Sequence, residues 1–161
     1  MNEVSLTIDE IITEKYVKGV KIQEAKTDSQ LKACYPLFKE LRPHIKGEQD
    51  FISLWDKQVD EGYIISFVEI VGDVVAAVGY RLMTTMAWGR FIYIDDLIAL
   101  PEQCGRGYGT LLLKHIQDKA VELNLEGVHL DTGYQRHLAH NSYLRNGFEL
   151  NCHHLCWINR S

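Results

Sequence analysis

The 161 residues, 46% of them hydrophobic, are the length of one ordinary domain and can bury a working core without disulfides or metals. A formal net charge of -5 argues against a nucleic-acid or anionic-membrane surface, since both need a basic footprint that displaces counterions; a small cationic partner is easier to accommodate. No apolar run of about eighteen residues spans a bilayer, residues 1–15 are too rich in carboxylates for a signal peptide, and Cys34, Cys104, Cys152 and Cys156 suit free thiols in the cytoplasm.

Residues 1–19 alternate Val4, Leu6 and Ile8 before Ile11 and Ile12, a pattern open to an extra strand, a short helix or a partner-binding arm. Residues 20–26 read as a first strand. Thr27 and Gln30 form a capping box for a helix with the apolar stripe Leu31, Cys34, Tyr35, Phe38 and Leu41, which Pro43 ends. A second helix from about Glu48 carries Phe51, Trp55 and Val59, has the acidic outer face Glu48, Asp50, Asp56 and Asp60, and closes at Gly62. A hairpin follows, 63–70 with 74–85, its two-residue turn assigned to Gly72 and Asp73.

The next strand, 91–100, is apolar at both parities except for Asp95 and Asp96, and so is expected to be central and covered on both faces. A glycine-rich loop leads into a helix with Leu111, Leu112, Ile116, Ala120 and Leu123 on one side. After Gly127 comes a strand, 128–131, which the crossover makes parallel to 91–100. A last helix, about 138–146, stops at Gly147, and 148–158 is expected to return as a final strand. With no repeat, linker or low-complexity stretch, the class is a single α+β domain around a mixed sheet.

The loop Cys104, Gly105, Arg106, Gly107, Tyr108, Gly109 and Thr110 sits where a buried strand meets an amphipathic helix. Unpaired amides and the helix dipole there make an anion site; glycines let several N–H groups approach a pyrophosphate, and Arg106 adds countercharge. The plainer reading is a helix-entry loop. Two rival phosphate motifs fail on spacing. A P-loop needs Lys-Ser/Thr after its last glycine, and the dinucleotide fingerprint needs a glycine where Thr110 stands.

At this point the chain resembles the GNAT acetyltransferases, whose loop Gln/Arg-x-x-Gly-x-Gly/Ala matches Gly107 and Gly109, with Cys104 at its first position and Gln103 adjacent. Tyr143-Leu144-Arg145-Asn146-Gly147-Phe148 reproduces the second family signature, Tyr-x-x-x-Gly-Phe, with Ala139 one turn upstream. Leu41-Arg42-Pro43-His44, Trp88-Gly89-Arg90, Tyr93-Ile94-Asp95-Asp96-Leu97 and Ala139-His140 resemble a bacterial subgroup of undefined substrate. The resemblance covers about residues 63–158. It implies a mostly antiparallel mixed sheet with one parallel strand–helix–strand crossover and helices on both faces.

The resemblance also implies acetyl-CoA as co-substrate, with no metal, and direct acetyl transfer to a primary amine through a tetrahedral intermediate. Backbone of Leu97, Ile98 and Ala99 would bind the pantetheine arm, and an N–H of Leu97 or Ile98 would stabilise the oxyanion. Gln103 to Thr110, with Asn141 and Tyr143, would hold the rest of the coenzyme. Tyr143 is carried over as the acid that protonates the departing thiolate; the plainer reading is a core tyrosine.

An amine with a pKa near ~10 must lose a proton before it attacks, and Asp95, Asp96 and His140 are the candidate bases. Consecutive strand residues face opposite ways unless a bulge intervenes, so the two aspartates should differ in role, and Asp96 is favoured. One aspartate anchoring Arg90 or Arg81, and a merely packed His140, are the plainer readings. His153 and His154, flanked by Cys152 and Cys156, lack zinc spacing and read as edge-strand packing. A catalytically silent acyl-CoA-binding module and a nucleotide-binding protein are the competing functions. The acceptor is a small-molecule or peptide amine, and the first segment and final strand offer an edge for a homodimer.

Overall fold

The computed structural model describes residues 20–100 and 105–160. The sequence readings of residues 1–19, Gln103 and Cys104 lie outside these. The elements are β1 (Val20–Glu24), α1 (Asp28–Leu41), α2 (Glu48–Val59), β2 (Tyr63–Ile70), β3 (Asp73–Thr85), β4 (Gly89–Ala99), α3 (Tyr108–Glu122), β5 (Gly127–Leu130) and α4 (His137–Arg145). The strands form one sheet in the order β1-β2-β3-β4-β5, antiparallel except for the β4–β5 pair, which α3 connects as a parallel crossover.

Local chemistry sets the helix starts. The capping box at α1 forms as its residue types require: Thr27 Oγ1 accepts from the Gln30 amide at 3.3 Å, and Gln30 Oε1 accepts from the Thr27 amide at 3.2 Å. Each face of the sheet then has its own core. On one side Leu31, Cys34, Leu37, Phe38, Phe51 and Ile52 of α1 and α2 pack on Ile65, Phe67 and Ala77; on the other, Leu112, Leu113, Ile116 and Ala120 of α3 pack on Val78, Tyr80, Ile92 and Ile94. Burial pushes the Cys34 thiol up to about 12, which makes it an inert core side chain.

Two expectations are corrected. The hairpin turn between β2 and β3 is Val71-Gly72 rather than Gly72-Asp73, since Ile70 pairs directly with Asp73 and both turn residues have positive φ, 52° and 89°. Residues 148–158 form no ladder strand: β5 is the last strand of the sheet among the described residues, and the chain beyond Gly147 is almost wholly exposed. Its apolar residues resemble those of a strand, but it meets the chain just past β5 through side chains, His154 to Asp131 and Tyr134 to His153, and among the described residues its backbone joins no ladder.

Val71 is a β-branched residue in the left-handed region, a conformation costing on the order of 1–2 kcal/mol per residue. At 93% exposure its side chain contributes no packing to offset this. Val71→Asn is therefore expected to stabilise the fold by about 1 kcal/mol and raise Tm by roughly 2–4 °C. A thermal melt showing no gain, or a loss, contradicts this account of the turn.

Candidate active site

The centre of the site is a break in the regular pattern of β4. Gly79 of β3 pairs with Asp96, but the next residue, Tyr80, pairs with Ile94, so Asp95 is an extra residue bulged out of the ladder. The bulge cancels the usual alternation and turns both carboxylates toward the face that carries α1 and α2.

There the two aspartates meet different partners. Asp96 Oδ2 accepts from the Tyr63 hydroxyl at 2.6 Å, and Oδ1 accepts from Arg42 Nη2 at 2.8 Å and Nε at 2.9 Å. Both oxygens are occupied. Tyr63 reaches Asp96 by crossing Gly79, where an added Cβ would lie 1.8 Å from the phenolic oxygen, so only glycine permits the bond. Burial, followed by the neighbouring Asp96 charge, pushes the Tyr63 hydroxyl well above the ordinary tyrosine range, which keeps it a donor.

Asp95 Oδ2 accepts from Arg81 Nε at 2.9 Å, while Oδ1 has no partner among the described residues. Burial raises its carboxyl above the usual aspartate range; Arg81 opposes the shift and the Asp96 charge adds to it. Arg81 in turn bonds Glu61 at 3.3 Å and lies over the Tyr63 ring, 5.4 Å from its centre. Arg42 also donates to the Asp95 carbonyl at 3.1 Å, so the C-terminal end of α1 is fastened to the bulge itself.

Just past the bulge the parallel strands part. Their last paired residues are Ile94 and Leu130. Leu97 and Ile98 continue along β3, and among the described residues they have no ladder partner on the β5 side. The opening is a cavity of about 410 Å³ lined by Arg42, Asp95, Leu97, Thr132, Arg136 and Tyr143, among others. It adjoins a larger cavity of about 2010 Å³ to which Trp55, Trp88, Tyr93, Asp131 and His140 contribute; Asp95, Asp96, Thr132 and Tyr143 line both.

At the carboxyl end of β4, α3 begins behind Gly105 and Gly107, whose φ values of 79° and 86° only glycine adopts without strain. The first helical bond runs from the Leu111 amide to the Gly107 carbonyl, so the amides of Gly109 and Thr110 precede the ladder and point off the helix end. Among the described residues, no atom stands where a Cβ of Gly105 or Gly109 would be. Arg106 is exposed beside them, whereas the Tyr108 ring is buried in the α3 core.

Opposite, α4 presents Tyr143. Its ring packs edge-on against Phe148 at 5.8 Å, and its hydroxyl has no hydrogen-bond partner among the described residues. Burial raises its pKa, with Arg136 opposing, so it holds its proton at neutral pH. His140 Nε2 lies 3.0 Å from the Gly133 carbonyl; since a carbonyl only accepts, Nε2 carries a hydrogen and donates it there. Asn141 is exposed and lines neither cavity.

Three contributors escape a reading of the sequence. Asn146 Nδ2 donates to Thr110 Oγ1 at 3.4 Å while its carbonyl accepts from Gln117 at 2.8 Å, so the helix carrying Tyr143 is tied to the first turn of α3. Thr132 holds a buried hydroxyl with no partner among the described residues, and lines the split between the strands. Arg42 is the third: the sequence singled it out only within Leu41-Arg42-Pro43-His44, with no role, and its bond to Asp96 emerges from the fold. A slot with one free strand edge, an unsatisfied hydroxyl and helix-end amides beyond it suits an extended, amide-bearing chain that ends in phosphates.

Residues 31–148 match the model of the acetyltransferase (GNAT) family. The chain is 28% identical over 109 residues to an uncharacterized N-acetyltransferase, YhdJ, of Bacillus subtilis, covering 68% of this chain and 77% of that protein. Among solved structures it resembles the aminoglycoside acetyltransferase AAC(6')-Iy in complex with a CoA bisubstrate analogue (TM-score 0.75, 13% identity, 88% of this chain and 99% of that one). It also resembles a transcriptional regulator from Bacillus halodurans (TM-score 0.77, 17% identity, 87% and 99%). At such identities the structural likeness speaks for the fold; the family match, over most of the chain and across both motifs, shows that this protein belongs to the GNAT acetyltransferase family.

Proposed function

We propose that this acetyltransferase moves the acetyl group of acetyl-CoA directly onto a primary amine, carried by a small molecule or a peptide. The observation that carries the reading is the split between β4 and β5, whose lining includes both Tyr143 and Asp95, each with a side-chain oxygen that has no partner among the described residues. The split would hold the pantetheine arm against Leu97 and Ile98, with Thr132 bonding an amide of the arm. Helix-end amides of Gly109 and Thr110, with Arg106, would hold the diphosphate. The larger cavity, with Trp55, Trp88, Tyr93 and Asp131, would admit the amine.

In this reading Asp95, rather than Asp96, takes the proton from the amine, because both oxygens of Asp96 already accept from Arg42 and Tyr63 whereas Oδ1 of Asp95 has no partner among the described residues. The amine then attacks the thioester carbonyl, the N–H of Leu97 or Ile98 stabilises the oxyanion, and Tyr143 delivers its proton to the leaving sulfur. His140 serves to hold Gly133 and the turn leading into α4.

Acetyl-CoA, but neither ATP nor NAD, is expected to raise Tm, by an amount corresponding to about 2.7 kcal/mol at a hundredfold excess over Kd. Thiol release with a panel of amines should follow. A chain that binds acetyl-CoA and releases no thiol with any amine is a binding module, and this function is then wrong.

Tyr143→Phe is expected to lower kcat by roughly 10²-fold, the low end for a general acid because a thiolate of pKa about 8.5 already leaves tolerably, while acetyl-CoA affinity holds. Unchanged turnover removes Tyr143 from the chemistry.

The aspartates separate by pH. Asp95 must be ionised to act, and its carboxyl is raised, so kcat/KM falls as pH drops through a value above the ordinary aspartate range. Asp95→Asn should abolish that limb and lower the plateau roughly 10²-fold. Asp96→Asn should keep the limb but lower stability by about 1.5–3 kcal/mol, the worth of charged hydrogen bonds. Exchange of these two outcomes makes Asp96 the base.

A further inference from the structure

The larger cavity has two unlike walls. β4, β5 and the chain around them contribute the carboxylates Asp95, Asp96, Glu126, Asp131 and Glu149. α2 contributes Leu54, Trp55 and Gln58, while the acidic residues of that helix, Glu48, Asp50 and Asp56, are not in the lining. The acidic face of α2 thus turns away from the cavity, with Asp50 accepting from the Lys46 amide at 2.9 Å. What α2 offers a guest is apolar surface and neutral hydrogen-bonding groups.

One of those groups is unsatisfied. The indole N–H of Trp55 is buried and has no hydrogen-bond partner among the described residues. An indole nitrogen only donates, and a buried one ordinarily finds an acceptor. The ring itself is only partly buried. It packs against the cluster that contains Phe38, Phe51 and Tyr63, and it lines the cavity, so a small turn of the ring presents the N–H to a guest. Tyr63 belongs to the same cluster and holds Asp96, which places Trp55 on the apolar support of the aspartate bulge.

We propose that Trp55 selects the acceptor, and that the amine substrate carries, away from its nitrogen, a neutral oxygen of an amide or a hydroxyl that accepts the Trp55 N–H. The other ends an amine can carry fit this wall worse. A second ammonium only donates, so it would meet a donor where α2 supplies no carboxylate. A carboxylate would have to enter a lining with five carboxylates, one arginine and no lysine, and that arginine, Arg42, is already bound to Asp96. A plain alkyl end leaves the indole buried and unbonded. A neutral oxygen avoids all three costs. The acidic wall meanwhile draws the ammonium toward Asp95, so the two walls together orient the substrate, nitrogen toward β4 and oxygen toward α2. The catalytic part of this inference rests on the proposed function; the contact between Trp55 and the oxygen does not.

The test uses linear primary amines of about two to six carbons that end in methyl, hydroxyl, carboxamide, carboxylate or ammonium, assayed by thiol release from acetyl-CoA. At the best length the hydroxyl or carboxamide end is expected to lead the others in kcat/KM by roughly tenfold, the worth of one hydrogen bond, and whichever of the two leads identifies the oxygen. Trp55→Phe keeps a ring and deletes the donor. It should bring the leading end down to the level of the methyl end through KM, whereas a loss of packing alone lowers every end by the same factor. A lead by the methyl, carboxylate or ammonium end, or an oxygen preference that survives Trp55→Phe, overturns the proposal. A second measurement needs neither turnover nor that variant. The indole N–H resonance of Trp55, identified by its persistence in Trp88→Phe and in Trp157→Phe, should shift when the hydroxyl-ended or carboxamide-ended amine is added with CoA and stay in place with the methyl-ended one. Absence of that difference overturns the proposal whether or not acetyl transfer is seen; its presence without any acetyl transfer supports the recognition and removes the proposed reaction instead.

Discussion

The buried bond between Tyr63 and Asp96 organises this molecule. It crosses the sheet over the one residue, Gly79, that leaves room for it, and it fixes the residue that follows the bulge of β4. Arg42 completes the arrangement from the end of α1, so that one carboxylate holds a helix and two strands together. The charge costs little in this setting because both of its oxygens are satisfied by donors, one of them a cation.

With Asp96 held in this way, Asp95 is free to differ from it. The bulge places two adjacent carboxylates on one face and then gives them unlike environments: one with both oxygens hydrogen-bonded, the other with one oxygen unpartnered among the described residues and a raised pKa. Pairs of titratable groups pushed apart by their surroundings are the usual material of acid–base sites. The same interruption ends the regular course of β4 beside β5, and that divergence is the slot on which coenzyme binding depends in the proposed reaction.

The chain sequence by itself determined the order and type of nearly every element, because each has a local cause: Thr27 with Gln30 starts a helix, Gly107 admits the turn into α3, Gly147 stops α4, and alternating or fully apolar runs mark the strands. The two family motifs were legible in the same way, as contiguous residues. Where the reading went astray, the deciding partner was distant. The turn of the β2–β3 hairpin depends on the register of the eight residue pairs of that ladder, and a strand over 148–158 needs backbone pairing with a neighbouring edge, which the segment does not make among the described residues. The roles of Asp95 and Asp96 were out of reach for the same reason. A bulge is a mismatch between two strands, and Tyr63, Gly79 and Arg42 meet Asp96 only when α1, β2, β3 and β4 are assembled, so tertiary structure alone decided which carboxylate is bound and which is left open.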